Sequence, residues 1–85
     1  MIDKKVLENE IKEIISDVSG FDLEEIKPET NLTNELEIDS IKAIEITVAI
    51  EKKYKISVRD EDVPKIVNLT DAVELVYGML NQKGN

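Results

Sequence analysis

The 85-residue chain contains no cysteine, no histidine and no tryptophan. Without cysteine there are no disulfides, no thiolate nucleophile and no cysteine-based metal site, and a reducing compartment is permitted. Without histidine the usual general base near neutral pH is missing, and no Ser-His-Asp arrangement can form. Surplus positive charge is lacking too. Eleven Lys and Arg against nineteen Asp and Glu leave a net charge of -8, the wrong sign for neutralising phosphates, so nucleic acid is excluded and basic partners are favoured. Nor is there a run of about 18 apolar residues or, in MIDKKVLENEIKE, an apolar signal core. The expectation is a cytoplasmic protein with no membrane span. A chain this short buries only roughly 60 to 65% of its unfolded surface. Its single small core leaves little room for a deep active site, so function is expected on the surface. The carboxylates are a surface property first, and enzyme activity is not expected.

What is present is helical periodicity. After Asp3, an N-cap candidate, Leu7, Ile11, Ile14, Ile15 and Val18 recur on one face and predict a helix over residues 4–18, stopped by Ser19 and Gly20. Asp22 to Glu25 has capping-box spacing for a short turn closed by Pro28. Residues 27–39 read as a long connection, with a turn starting at Thr30 or Asn31 and with Leu32, Leu36 and Ile38 pinning it to the core. A second helix is predicted from Ser40 to Tyr54, followed by an extended bridge over residues 55–58. Asp60 is expected to cap a short helical segment interrupted near Pro64. Asn68 or Thr70 would cap the last helix, whose apolar positions are Ala72, Val73, Val76, Tyr77 and Leu80, with Gly84 at its loose end. The expected fold is all-α: a small bundle of three main helices plus one short helix, in a single domain over residues 1–85.

The stretch IDSIKAIEI, residues 38–46, breaks the pattern of a one-faced helix. At about 100° per residue, Ala43, Ile46, Ile50 and Tyr54 fall on one side, while Ile41, Ile44 and Val48 fall nearly opposite, flanked by Glu45 and Glu51. A bundle this small can cover only one stripe. The first, which continues to an aromatic, is assigned to the core, and the second is expected to stay exposed and to meet a partner. Asp39 and Ser40 open this helix. Either residue is a good N-cap, worth about 1 kcal/mol. A serine hydroxyl at a helix N-terminus is also a suitable attachment point for a phosphodiester, because free N–H groups and the helix dipole favour negative charge there.

At these residues the chain resembles the acyl carrier proteins. The likeness lies in NLTNELEIDSIKAIEITVAIEKKY and extends from the first amphipathic helix through DLEEIKPETNLTNEL to VNLTDAVELVYGML. The resemblance implies an acyl-carrier-protein-like fold and a 4′-phosphopantetheine arm attached through Ser40, whose thiol carries acyl intermediates as thioesters. It further implies that Asp39 assists attachment through a metal ion, and that Ile41, Lys42, Ile44, Glu45, Val48 and Glu51 form the partner face. The implied partners are a phosphopantetheinyl transferase and acyl-transferring or synthase enzymes of fatty acid or polyketide type, with basic or apolar docking patches. The chain itself would be a free-standing monomer.

Some features depart from the family pattern. Ile38 stands where a glycine commonly precedes the Asp, and the Gly-Gly-x-Ser pattern of peptidyl carriers is absent. A specialised carrier is the expectation. Two other readings stand beside it. One is an unmodified helical interaction module in which Ser40 is only a helix cap. The other is a metal-binding helix-loop-helix starting at Asp60. In that reading Pro64, Lys65 and Asp71 fall where a calcium loop needs a ligand, a glycine and the closing glutamate, so the spacing fails.

Overall fold

The computed structural model describes residues 3–83. Within them the chain forms four α-helices: α1 (Lys4–Ser19), α2 (Leu32–Leu36), α3 (Ser40–Tyr54) and α4 (Leu69–Lys83). Two 3₁₀ segments, Leu23–Glu25 and Asp60–Lys65, join them. Gly84, read above as the loose end of the last helix, lies outside the described residues. The body measures 36 × 25 × 19 Å, and α1 packs against both α3 and α4.

Capping chemistry sets the start of each helix. The Asp3 carboxylate accepts the Lys5 N–H at 2.7 Å, and Asn31 Oδ1 accepts the Asn34 N–H at 2.9 Å. At α4, Asn68 Oδ1 accepts from the Asp71 N–H (2.8 Å), while Asp71 Oδ2 accepts from the N–H groups of Asn68 and Val67. Asn68 is therefore the capping residue. Thr70 lies one step inside α4, and its N–H and hydroxyl both donate to the Pro28 carbonyl at 3.1 Å. An antiparallel bridge between Asn31 and Asn68 completes this tie between the long connection and α4.

Three local expectations are corrected. The connection over residues 27–39 holds a real one-turn helix, α2, capped by Asn31, where only a turn was expected. Thr30 instead is buried and accepts the Lys27 N–H. Arg59, not Asp60, is the N-cap of the second 3₁₀ segment, and it does so without a side-chain bond, so the sequence gives no signal for it. Lys55 is not extended: it closes α3 in the left-handed region at φ 56°.

The core is Leu7, Ile11 and Ile15 of α1, Ile46 and Ile50 of α3, and Leu69, Ala72, Val73 and Val76 of α4, closed by Ile26, Leu32, Leu36 and Ile38 from the connections. Ala43 and Tyr54 pack at its edge, as do Ile14, Val18, Tyr77 and Leu80. The first stripe of α3 is thus the inner one. Its far end is fixed to α1 by the Tyr54 hydroxyl, which donates to Glu10 Oε1 at 2.7 Å.

Candidate tether site and docking face

Ile38 and Asp39 lead into α3 from Glu37, which ends α2 in the left-handed conformation at φ 55°. Ile38 turns inward and is buried, anchoring the strand of chain that presents the next two residues. The Asp39 carboxylate accepts the Lys42 N–H at 2.9 Å and is the N-cap of α3. Ser40 is the first helical residue and is exposed. Among the described residues its hydroxyl has no hydrogen-bond partner. The reading in which Ser40 serves as the cap therefore fails, because its neighbour already does that work.

The remaining serines are differently placed. Ser16 donates to the Phe21 carbonyl at 2.6 Å, and Ser19 accepts the Phe21 N–H at 3.2 Å, so both fasten the end of α1. Ser57 lies in the loop after α3.

Beside Ser40 opens a groove of about 610 Å³, walled by Ile38, Ala43 and Ile44 on one side and by Val63, Pro64 and Ile66 on the other, with Asp39 and Asp60 at its polar margin. An interior void of about 40 Å³ shares Ile38, Ala43, Val63 and Ile66 with that groove. A free hydroxyl at a helix N-terminus, next to an open, mostly apolar groove, fits a phosphodiester-linked arm.

The outer stripe of α3 is bare: Ile41 is 68% exposed, Ile44 56% and Val48 39%. Of the flanking residues, Glu45 points to solvent. Glu51 is half-buried, and its Oε2 accepts the Val58 N–H at 2.7 Å. Lys42 is half-buried and sits one residue round the helix from Ile41, off the stripe. The structure thus brings Asp39, Ser40, Ile41, Ile44, Glu45 and Val48 to one outer surface, with Lys42 beside them and Glu51 turned partly inward. Sequence reasoning missed the far wall of the groove, because Val63, Pro64 and Ile66 come from another segment.

Two acids of the turn at Asp60 to Asp62 face bases: Arg59 faces Glu61 and Asp62, each at 3.9 Å, and Lys65 faces Asp62 at 3.4 Å. Among the described residues no group of three or more potential ligands is arranged to hold a metal ion. No helix among them is long and apolar enough to cross a membrane.

Known proteins resemble this chain over most of its length. A family described as "Phosphopantetheine attachment site" matches residues 9–76, and the chain belongs to it. Within that family the chain is similar to acyl carrier proteins. It is 32% identical to one from Cyanidium caldarium over 85 residues, covering 100% of this chain and 99% of the other. Identity to one from Myxococcus xanthus is 35% over 68 residues, 80% of this chain and 86% of the other. The solved structure of the acyl carrier protein from Enterococcus faecalis covers 88% of this chain and 95% of its own at a TM-score of 0.74, and at 23% identity it speaks for the fold alone. The chain is a carrier protein and not an enzyme, and its prosthetic group is 4′-phosphopantetheine. Carriers of this kind work with transferase and synthase enzymes.

Proposed function

We propose that Ser40 is the attachment residue, and that residues 1–85 act as one acyl carrier domain, a monomer in the cytoplasm that serves a specialised fatty acid or polyketide type pathway. The observation that carries the assignment is the division of labour at the head of α3. Asp39 holds the cap, so the Ser40 hydroxyl remains exposed and uncommitted. The first-turn N–H groups and the positive end of the helix dipole favour the phosphodiester's negative charge beside it. When bound, the arm supplies a terminal thiol that carries acyl groups as thioesters. Asp39 also offers the transferase a carboxylate within one residue of the hydroxyl, suited to steering a divalent ion during attachment. Ile41, Ile44 and Val48, with Glu45, Glu51 and Lys42 around them, form the surface that transferase and synthase enzymes dock on. The groove leaves room for the arm to lie against the body between visits.

The test is intact mass after incubation with a phosphopantetheinyl transferase and coenzyme A. Wild type gains the mass of one arm and Ser40→Ala gains none. Modification of Ser40→Ala, or wild type left unmodified by transferases active on other carriers, sinks the assignment.

A further inference from the structure

The far wall of the groove beside Ser40 is lightly rooted. It comes from the second 3₁₀ segment, Asp60–Lys65, and the residue after it, and that segment has no fully buried side chain. Val63 and Ile66 are half-buried and Pro64 is exposed. The place of the wall therefore depends on how the chain is held at its two ends. After the wall, the Asp71 carboxylate accepts the N–H groups of Val67 and Asn68, and the Val67 carbonyl accepts the Leu32 N–H at 2.9 Å. Before it, the turn leaving α3 is gathered on one residue. The Glu51 carbonyl accepts the N–H groups of Lys55 and Ile56, and its carboxylate Oε2 accepts the Val58 N–H at 2.7 Å. A short bond from an amide to a half-buried carboxylate is charge-assisted and stronger than a neutral one. Val58 stands two residues before the 3₁₀ segment begins.

We infer that Glu51 is a positioning residue for this groove: through the Val58 N–H it holds the far wall in place, and thereby sets how far a thioester tethered at Ser40 is shielded from water. Glu51 borders the exposed stripe of α3, but this task needs an acceptor oxygen at the right reach and not a charge facing a partner. The inference deepens the carrier reading and rests on it, since the shielded group belongs to the arm on Ser40. Without the bond to Val58 the wall loses its side-chain tie to α3 and opens more often. Local opening of this kind leaves the three long helices intact.

Three variants separate reach from charge. Glu51→Gln keeps the reach and an acceptor oxygen without the charge, Glu51→Asp keeps the charge but falls one methylene short, and Glu51→Ala keeps neither. Each is loaded by a phosphopantetheinyl transferase with octanoyl-coenzyme A and then exposed to hydroxylamine, which takes the acyl group as a hydroxamate and frees the thiol; intact mass follows the loss. Cleavage is expected to be about three- to tenfold faster in Glu51→Ala and Glu51→Asp than in wild type, with Glu51→Gln within about twofold of it. Amide hydrogen exchange should quicken in the same two variants at Val58 and stay at wild-type rates at Ile11 and Ile15 of α1. Tyr54→Phe, which loosens the seam of α3 with α1, controls for lost stability alone and should be cleaved at the wild-type rate. Glu51→Asp behaving as wild type while Glu51→Gln behaves as Glu51→Ala would make the charge decisive and overturn the inference. Equal cleavage in all variants, or an acceleration in Tyr54→Phe as large as in Glu51→Ala, overturns it as well. Failure of the carrier reading shows earlier, as no gain of mass on loading, and it takes this inference with it.

Discussion

Two helices of nearly equal length make different use of the same residue types. In α1 the apolar residues form one stripe, and Leu7, Ile11 and Ile15 are all completely buried, with Val6 the exposed exception. In α3 they form two, and only the stripe containing Ile46 and Ile50 is covered. α1 lies between α3 and α4 and holds the bundle together. α3 uses one face for that purpose and leaves the other exposed, with Ser40 at its head. An apolar side chain therefore means stability on α1, whereas on the outer side of α3 it is free for the docking role proposed above.

The largest effect that tests this contrast is a matched pair of truncations. Ile11→Ala leaves a cavity at the centre of the core and should cost about 2 to 5 kcal/mol of unfolding free energy. Ile44→Ala trims a side chain that is more than half in water and should change stability by less than about 1 kcal/mol, while turnover by partner enzymes falls. Urea unfolding measures both. A destabilisation above about 1.5 kcal/mol for Ile44→Ala would assign the outer stripe to the fold and undo the comparison.

The contrast was legible in sequence because it is a matter of period. Three long helices appear wherever apolar residues return every three or four positions, and the second stripe of α3 shows as residues that a single face cannot absorb. The parts that stayed hidden depend on distant segments or on residues without a local signature. α2 is five residues long with two buried anchors, Leu32 and Leu36, and a helix of one turn leaves the same trace as a capped turn. Arg59 caps its 3₁₀ segment with backbone alone. Glu51 looks like a surface acid on the wheel, and only the fold-back of the chain brings the Val58 N–H to it. Ser40 and Asp39 were readable as a pair, but which of the two is the cap was decided by geometry.

A smaller effect probes the seam where the two helices meet. Burial of the Tyr54 ring, then its hydrogen bond to Glu10, then the nearby charges of Glu10 and Glu13 push the phenol well above its ordinary value of 10.0. A phenol with a raised native pKa contributes stability that is fully present below the unfolded pKa of about 10 and is lost as pH rises beyond it. Tyr54→Phe should therefore cost about 1 kcal/mol at pH 7, with the half-buried Glu10 left unpaired. The difference between wild type and Tyr54→Phe should then narrow between about pH 10 and pH 11. Thermal unfolding of both proteins across that range measures it. A difference that stays constant or widens would mean that Tyr54 gives up its proton as readily in the native state as in the unfolded one.

The smallest expected effect concerns how the chain leaves α1 and how it enters α3. α1 ends on Gly20 at φ 84°, where a Cβ would meet nothing within 4 Å, so the glycine is needed for its backbone freedom and not for space. The turn into α3 asks the same left-handed conformation of Glu37, a residue with a Cβ, three positions before Ser40. Gly20→Ala should therefore cost about 1 kcal/mol, since an L-residue in that region is strained by about 1 to 2 kcal/mol and alanine recovers part through a stiffer unfolded chain. Glu37→Gly reverses the exchange. Relief of strain is offset by the roughly 0.5 to 1 kcal/mol that a glycine loses in chain entropy, leaving a net gain of about 0.5 kcal/mol. Both shifts are readable as changes in denaturant midpoint at constant slope. If Glu37→Gly is instead less stable than wild type, the glutamate side chain contributes to the fold. If it is more stable yet is modified by the transferase more slowly than wild type, the strained turn serves to hold Asp39 and Ser40 in place, and the cost it imposes belongs to the tether site rather than to the bundle.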